Sequence, residues 1–140
     1  MSDDDLFREF EHTGDLGIEL DAPTRQELFA RALIALSHLM VEQNEVRVRA
    51  ERSFIVAITD DAEMLHDTLS RALTIFLADG FIWNDAAVID NNGELTVTLK
   101  GESFDPKRHQ LVTELKAVTY HQLAVEHQGD RWRARIVFDV

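Results

Sequence analysis

The segment DDAEMLHDTLSRALTIFLADGFIWNDAAVIDNNGELTVTL, residues 60–99, determines the predicted fold class. Asp60, with a glutamate three residues later, is the start signal of a helix. Its apolar residues recur at helical spacing up to Gly80, a residue typical of the position that follows a helix. Phe81–Asp90 reads as a strand, and the residues NNG at 91–93 predict a hairpin turn into an alternating return strand. A helix followed by an antiparallel hairpin indicates an α+β fold.

A second helix is predicted upstream, from Thr24 to Met40, because Thr24 has a glutamate three residues later and the apolar residues again recur at helical spacing. A turn containing two glycines is expected over residues 13–17. The strands expected on this side are Phe7–His12, Ile18–Leu20, the alternating residues 46–50 and the apolar run 54–58.

Downstream of the hairpin, a polar loop is expected from Gly101 to about residue 110. Leu115–Val125 alternates and favours a strand, although a helical turn near Ala117 also fits. The last strand places Trp132, Ala134, Ile136, Phe138 and Val140 on one face. We therefore expect one domain over residues 1–140, with a flexible tail at 1–5. Two main helices should pack on a mostly antiparallel sheet in a two-layer arrangement.

Composition restricts the function. The formal net charge is −12, from 26 acidic and 14 basic residues, so the surface repels phosphate backbones and suits cations or basic protein partners. The absence of cysteine excludes disulfides, thiolate metal sites and a cysteine nucleophile. No apolar run is long enough to span a membrane, and the acidic start is unlike a signal peptide, so a cytoplasmic location is expected.

The turn Glu11–Gly17 contains the first candidate site residue. Asp15 lies between two glycines and would present its carboxylate to a metal ion with little crowding. The alternative is that Asp15 only stabilises the turn through its own backbone, which aspartate does commonly. Local sequence alone favours the second interpretation.

The end of the chain contains the second candidate. Asp139 and the α-carboxylate of Val140 are hard anionic groups one residue apart, and a Ca²⁺ or Mg²⁺ ion, which prefers oxygen ligands, would relieve their repulsion. The alternative is neutralisation by Arg133 or Arg135, since arginine pairs readily with carboxylates.

The third candidate is the segment 114–121, in which Lys116 and His121 are suited to phosphate contact or proton transfer. The alternative, which the residue types alone favour, is an ordinary exposed strand face. The histidines form no HxH or HExxH pair, which argues against a zinc site. No glycine-rich phosphate loop and no GxSxG motif is present, so the sequence does not indicate independent nucleotide binding or a serine hydrolase.

Taken together, four segments resemble the archease family. Phe10–Ile18 (FEHTGDLGI) is similar to the family signature E-H-T-A-D-[VL]-G, with glycine in place of the usual alanine at position 14. Residues 101–109 (GESFDPKRH) and Glu114–Gln122 (ELKAVTYHQ) resemble the family's later motifs. Trp132–Val140 (WRARIVFDV) resembles its closing strand, which typically stops at D-[IV].

The resemblance implies a fold built from strand–helix–strand–strand (SHS2-like) units and an accessory role for an RtcB-type RNA ligase in tRNA splicing and RNA repair. Such proteins promote guanylylation and multiple turnover of the ligase, and they reach RNA only through it. The resemblance also implies a divalent metal, most often calcium, with magnesium or manganese as alternatives. Its ligands would be Asp15, Asp139 and the Val140 carboxylate. His12, Lys116 and His121 become candidates for contact with the partner or with phosphate.

Two other functions fit the same residues. One is a chaperone-like role toward another RNA-modifying enzyme, and the other is an independent metal-dependent hydrolase. The sequence offers no clear nucleophile or base for the second, so a non-catalytic activator is the expected function.

Overall fold

Both helices form where the capping patterns predict them. Helix α1 (Arg25–Met40) begins after Thr24, whose hydroxyl accepts a hydrogen bond from the Glu27 N–H at 3.1 Å. Helix α2 (Asp61–Asp79) begins after Asp60, whose carboxylate accepts from the Glu63 N–H at 3.0 Å. Each cap satisfies a backbone donor that has no partner within the helix. Gly80 ends α2 in the left-handed conformation, with φ 65°.

The computed structural model describes residues 6–12 and 14–140, with the backbone alone at residues 11 and 12. The tail predicted at residues 1–5 lies outside them. The strands of the described chain are β1 (Arg8–His12), β2 (Asp15–Ala22), β3 (Ala50–Ala57), β4 (Phe81–Asp90), β5 (Glu94–Ser103), β6 (Ala117–Val118), β7 (Ala124–Gln128) and β8 (Arg131–Asp139).

The strands form two antiparallel sheets. The large sheet runs β1-β2-β8, and the far edge of β8 is shared, with β7 along its first residues and β6 along its last two. The small sheet has the order β3-β5-β4. Helix α1 packs against β4, β2 and β8, and α2 packs against α1 and strands of both sheets. The predicted α+β fold with two main helices is confirmed, with the strands divided between two sheets.

The core joins the helices to both sheets. In β8, Ala134, Ile136 and Phe138 are buried on the face predicted from the alternation. Trp83 of β4 is fully buried, and its indole N–H donates to the Leu33 carbonyl of α1 at 2.8 Å. This bond removes the cost of burying the polar end of a large aromatic residue.

Two strand predictions were wrong. Residues 46–49 are not a strand, because the Arg47 N–H donates at 2.8 Å to the side chain of Glu102 and not to a neighbouring strand. In the segment 115–125, only Ala117–Val118 and the start of β7 are extended. Gln122, with φ 51°, forms a turn between them.

Gly101, in the middle of the small sheet, is required because β4 passes very close to it. A Cβ added there would overlap the Ile82 carbonyl oxygen and the Trp83 Cα, beside the irregularity between Trp83 and Asp85. We expect Gly101→Ala to lower the free energy of unfolding by about 3 kcal/mol, as overpacking in a rigid core does. Urea unfolding should show this loss, whereas Thr96→Ala in the same strand should cost about 1 kcal/mol or less.

Candidate functional site

Asp15 and Asp139 lie next to each other at one end of the large sheet. Leu16 pairs with Phe138 in the antiparallel β2–β8 register, so Asp15 and Asp139 are the next residues outward on the two strands. Side chains at directly opposed positions have Cβ atoms about 5 Å apart. Two carboxylates at this separation repel each other, and a cation between them removes the repulsion.

The row of residues that contains these carboxylates faces away from the helices. On the core side of the sheet end, Phe138 pairs with Val118, and both side chains are buried. Because side chains alternate along a strand, Asp139 points to the opposite face, and Asp139 is exposed. The other neighbours of this row are His12, which pairs with Asp15, and Ala117, which pairs with Asp139. The His12 side chain lies outside the described atoms.

Val140 follows directly after β8 and is 39% exposed. Its position next to Asp139 puts both groups at the same sheet end. The structure thus places the three predicted metal ligands at the same end of the large sheet, where Asp139 and Val140 are exposed.

Lys116 lies beside this row, whereas His121 lies farther along the chain on a turn. The Lys116 N–H donates to the Asp139 carbonyl at 2.8 Å, which holds the start of β6 against the end of β8. The His121 N–H donates to the Thr119 hydroxyl at 3.2 Å. Both side chains are exposed, so both are accessible to a partner or to phosphate.

Asp15 is the first residue of β2 and directly follows Gly14, whose φ is 79°. For Asp139, the alternative of pairing with an arginine does not match the described contacts. Arg135 pairs with Glu19 and Gln122. No arginine ion pair with Asp139 occurs among the residues for which side chains are described.

Phe10 and Gly17 support the sheet next to the carboxylate row, a role that their local sequence does not reveal. The ring of Phe10 occupies the space in which a Cβ of Gly17 would lie. The Arg135 guanidinium stacks over that ring, 5.0 Å from its centroid. The close approach of an aromatic ring explains why the signature has a glycine at position 17, although no local feature of the sequence identifies Phe10 as its neighbour.

Tyr120 links the turn after β6 to helix α2, a contact that the sequence did not indicate. Its hydroxyl donates to the Glu63 carboxylate at 2.9 Å, and its ring stacks on His66 with centroids 3.9 Å apart. The hydrogen bond to Glu63 raises the pKa of Tyr120. The sequence signal related to this contact is that Glu63 and His66 are three residues apart, which places both on one face of the helix.

Glu102 is the centre of a buried polar cluster that fixes the loop after β5. Arg108 donates to one carboxylate oxygen at 2.5 Å, and the Arg47 N–H and the His109 ring donate to the other at 2.8 and 3.0 Å. Burial raises the pKa of Glu102, but the hydrogen bonds from Arg108, Arg47 and His109 outweigh it and lower the pKa to about 2. The Asp105 N–H donates to the other ring nitrogen of His109, so this cluster is internally satisfied and structural.

The two helices and two antiparallel sheets, with carboxylates aligned at an open sheet end, define an α+β domain with a candidate oxygen-ligand cation site. The Archease protein family (MTH1598/TM1083) matches residues 7–140. The chain belongs to this family, as its motifs predicted.

Known relatives match along nearly the whole chain. It is 32% identical over 136 residues to the protein archease of Methanosarcina barkeri, covering 93% of this chain and 92% of the relative. It is 33% identical over 138 residues to that of Methanopyrus kandleri, covering 96% and 99%.

Two solved structures share the fold. The solution structure of Methanobacterium thermoautotrophicum protein 1598 superposes with a TM-score of 0.80 at 25% identity, covering 96% of this chain and 98% of that one. The crystal structure of an archease, described as a possible chaperone, from Thermotoga maritima gives 0.68 at 24% identity, covering 95% and 96%. In the described part of this chain, neither helix has the length and apolarity needed to cross a bilayer.

Proposed function

We propose that this protein is a non-catalytic accessory factor that activates an RtcB-type RNA ligase. It would promote guanylylation of the ligase and support multiple turnover in tRNA splicing or RNA repair. The observation that carries this proposal is the alignment of Asp15 and Asp139 at the end of the large sheet, where Asp139 is exposed. Membership of the archease family supports an accessory role.

The proposed site takes a hard divalent cation, calcium first, with magnesium or manganese as alternatives. Its ligands are the carboxylates of Asp15 and Asp139 and the α-carboxylate of Val140. An oxygen-only, highly anionic set fits Ca²⁺, which accepts six to eight oxygen ligands in flexible geometry. When bound, the ion would supply positive charge next to phosphate groups at the ligase.

The face around the cation would contact the ligase, with the exposed side chains of Lys116 and His121 beside it. His12 is a third contact in this proposal, from its place opposite Asp15 in the β1–β2 register. The net charge of −12 disfavours direct binding to an RNA backbone, so RNA is reached through the ligase, in the cytoplasm.

The role of the terminal carboxylate is tested by adding one glycine after Val140. The extension moves the α-carboxylate about 3.5 Å along the chain, so we expect calcium affinity to fall by about tenfold and ligase stimulation to fall with it. Calorimetry and a ligase–GMP assay measure the two effects. Val140→Ala, which keeps the carboxylate in place, should behave like the wild type, and equal affinity in the extended variant would exclude this ligand.

A chaperone-like role toward another RNA-modifying enzyme is the second candidate. The adjacent side chains of Leu111 and Val112 are 57% and 58% exposed, a small apolar surface of the kind that contacts protein partners. An affinity pull-down that recovers such an enzyme without an RNA ligase favours this function. GTP or RNA hydrolysis by the purified protein alone would instead indicate a hydrolase.

A further inference from the structure

We propose that Glu63, His66 and Asp67 form a second cation site, on the first turns of α2, for a borderline divalent transition-metal ion such as Zn²⁺. Each residue contributes one ligand atom, and these atoms all lie within 4.8 Å of one another. The spacing i, i+3, i+4 puts the three side chains on one face of the helix. The site shares no ligand with the carboxylates at the sheet end, and it does not depend on the proposed activation of a ligase.

The tautomer of His66 leaves one nitrogen free to bind a metal. His66 Nε2 lies 3.1 Å from the Val118 carbonyl oxygen. A carbonyl only accepts hydrogen bonds, so Nε2 carries the hydrogen and the neutral ring has its lone pair on Nδ1. Nδ1 is fully buried and has no hydrogen-bond partner, and it lies 3.6 Å from a carboxylate oxygen of Asp67.

A buried lone pair facing a carboxylate is an unfavourable arrangement, because both groups are acceptors. A cation between Nδ1 and Asp67 resolves it, as does a proton on Nδ1. Glu63 adds a second carboxylate to the same space, and no lysine or arginine pairs with Glu63 or Asp67 among the described side chains. Two carboxylates without a basic partner favour a divalent ion over a single proton.

The ligand residues His66 and Glu63 make the contacts that typically support metal-binding side chains. A metal-ligating histidine almost always donates its second ring N–H to a carbonyl or carboxylate, and here Val118 is that acceptor. Ligating carboxylates are themselves hydrogen-bonded, and Tyr120 donates to Glu63 at 2.9 Å. The Tyr120 ring also stacks on His66 at an interplanar angle of 12°, which fixes the ring orientation. These contacts involve β6 and its following turn, so they are independent of the helical spacing.

The ligand chemistry distinguishes this site from the one at the sheet end. One imidazole nitrogen and two carboxylate oxygens suit Zn²⁺, whereas Ca²⁺ takes oxygen ligands. Three protein ligands leave a fourth tetrahedral position for water or for a group from a partner. A bound ion would also fasten the turn that carries Tyr120 and His121 to α2, because Tyr120 bonds to the ligand Glu63.

The experiment is a Zn²⁺ titration of the full chain at pH 7 by calorimetry, in buffer saturated with Ca²⁺ so that oxygen-only sites are filled. The wild type should bind one Zn²⁺. His66→Gln and Asp67→Asn should each weaken binding by about 100-fold, and Tyr120→Phe by about tenfold, because it removes only a supporting hydrogen bond. The matched control is His127→Gln, which changes a histidine on β7 that stacks on Trp132 and should leave Zn²⁺ affinity unchanged.

A loss of Zn²⁺ affinity can be distinguished from a loss of folding. Asp67 has a side chain that is 49% exposed, so Asp67→Asn should unfold in EDTA at the wild-type temperature. Asp15→Asn should keep full Zn²⁺ affinity, so failure of the sheet-end site does not affect this result. Zn²⁺ binding that is equal in the wild type, His66→Gln and Asp67→Asn would overturn the proposal, as would the absence of binding in the wild type, which would assign the proton to Nδ1.

Discussion

Replacing Asp15 with asparagine is expected to weaken calcium binding by at least about tenfold and to remove most of the stimulation of an RtcB-type ligase. The substitution keeps the size of the side chain and its place in β2, but it removes one of the negative charges proposed to attract the ion. Calcium titration by calorimetry measures the first effect. The yield of ligase–GMP and the number of RNA ends joined per ligase measure the second.

The matched control for this prediction is Asp130→Asn. Asp130 is an exposed aspartate in the turn between β7 and β8, at the other end of β8 from Asp139. This variant should bind calcium and stimulate the ligase as the wild type does. If Asp15→Asn activates the ligase normally while calcium binding is lost, the metal is not needed for activation. If both properties are unchanged, Asp15 is not a ligand.

Replacing Glu102 with glutamine is expected to lower the free energy of unfolding by about 3 kcal/mol near neutral pH. Glu102 is 5% exposed, and its two oxygens accept bonds from Arg108, His109 and the Arg47 backbone. A glutamine amide presents a donor where the carboxylate accepts, so at least one of these buried donors loses its partner. Urea unfolding measures the loss, and Glu94→Gln, at an exposed position of the same strand, should change it by less than about 0.5 kcal/mol.

The same carboxylate predicts the direction of a pH dependence. The pKa of Glu102 is lowered from 4.5 to about 2 by folding. The ionised group therefore stabilises the fold fully above pH 4.5, and this contribution, about 3 kcal/mol, is lost as the pH falls through about 2. The difference in unfolding free energy between wild type and Glu102→Gln should shrink over that interval. A difference that is constant from pH 6 to pH 2 would show that the lowered pKa does not contribute to stability.

The helices were predictable because their signals are local. Thr24 and Asp60 each bind a backbone N–H three residues away, and the residues involved are visible in a short stretch of sequence. Gly80 and the turn at residues 91–93 likewise depend on the backbone conformations that glycine and asparagine adopt. Alternation also placed the buried face of β8 correctly, since one face of that strand meets the core.

The alternating pattern predicted strands wrongly where a backbone N–H donates to a side chain and not to a neighbouring strand. Val46 and Val48 alternate with arginines, but the N–H of Arg47 is bound by the Glu102 carboxylate, so no ladder forms there. Likewise, the His121 N–H donates to the Thr119 hydroxyl and not to a neighbouring strand, and the chain then turns at Gln122. The contact between Arg47 and Glu102 joins residues far apart in the chain, and neither contact leaves a periodic pattern.

The candidate site was predictable only in part. The residue types at positions 15, 139 and 140 indicated a hard cation, and the family motifs grouped them. Their proximity depends on the register between β2 and β8, which local sequence does not give. The contacts that surround them, such as Phe10 over Gly17 and Tyr120 on His66, are likewise products of the folded chain.

The environments of the two tryptophans give the molecule two separate fluorescent reporters. Trp83 is enclosed in the core and bonded to α1, so its emission should be blue-shifted and should follow global unfolding. Trp132 stacks on His127 with centroids 4.2 Å apart, on strands of the large sheet, so its emission should depend on that contact. Replacing His127 with glutamine should therefore change the emission of one indole while leaving the other unchanged, which makes the state of the large sheet observable without any added label.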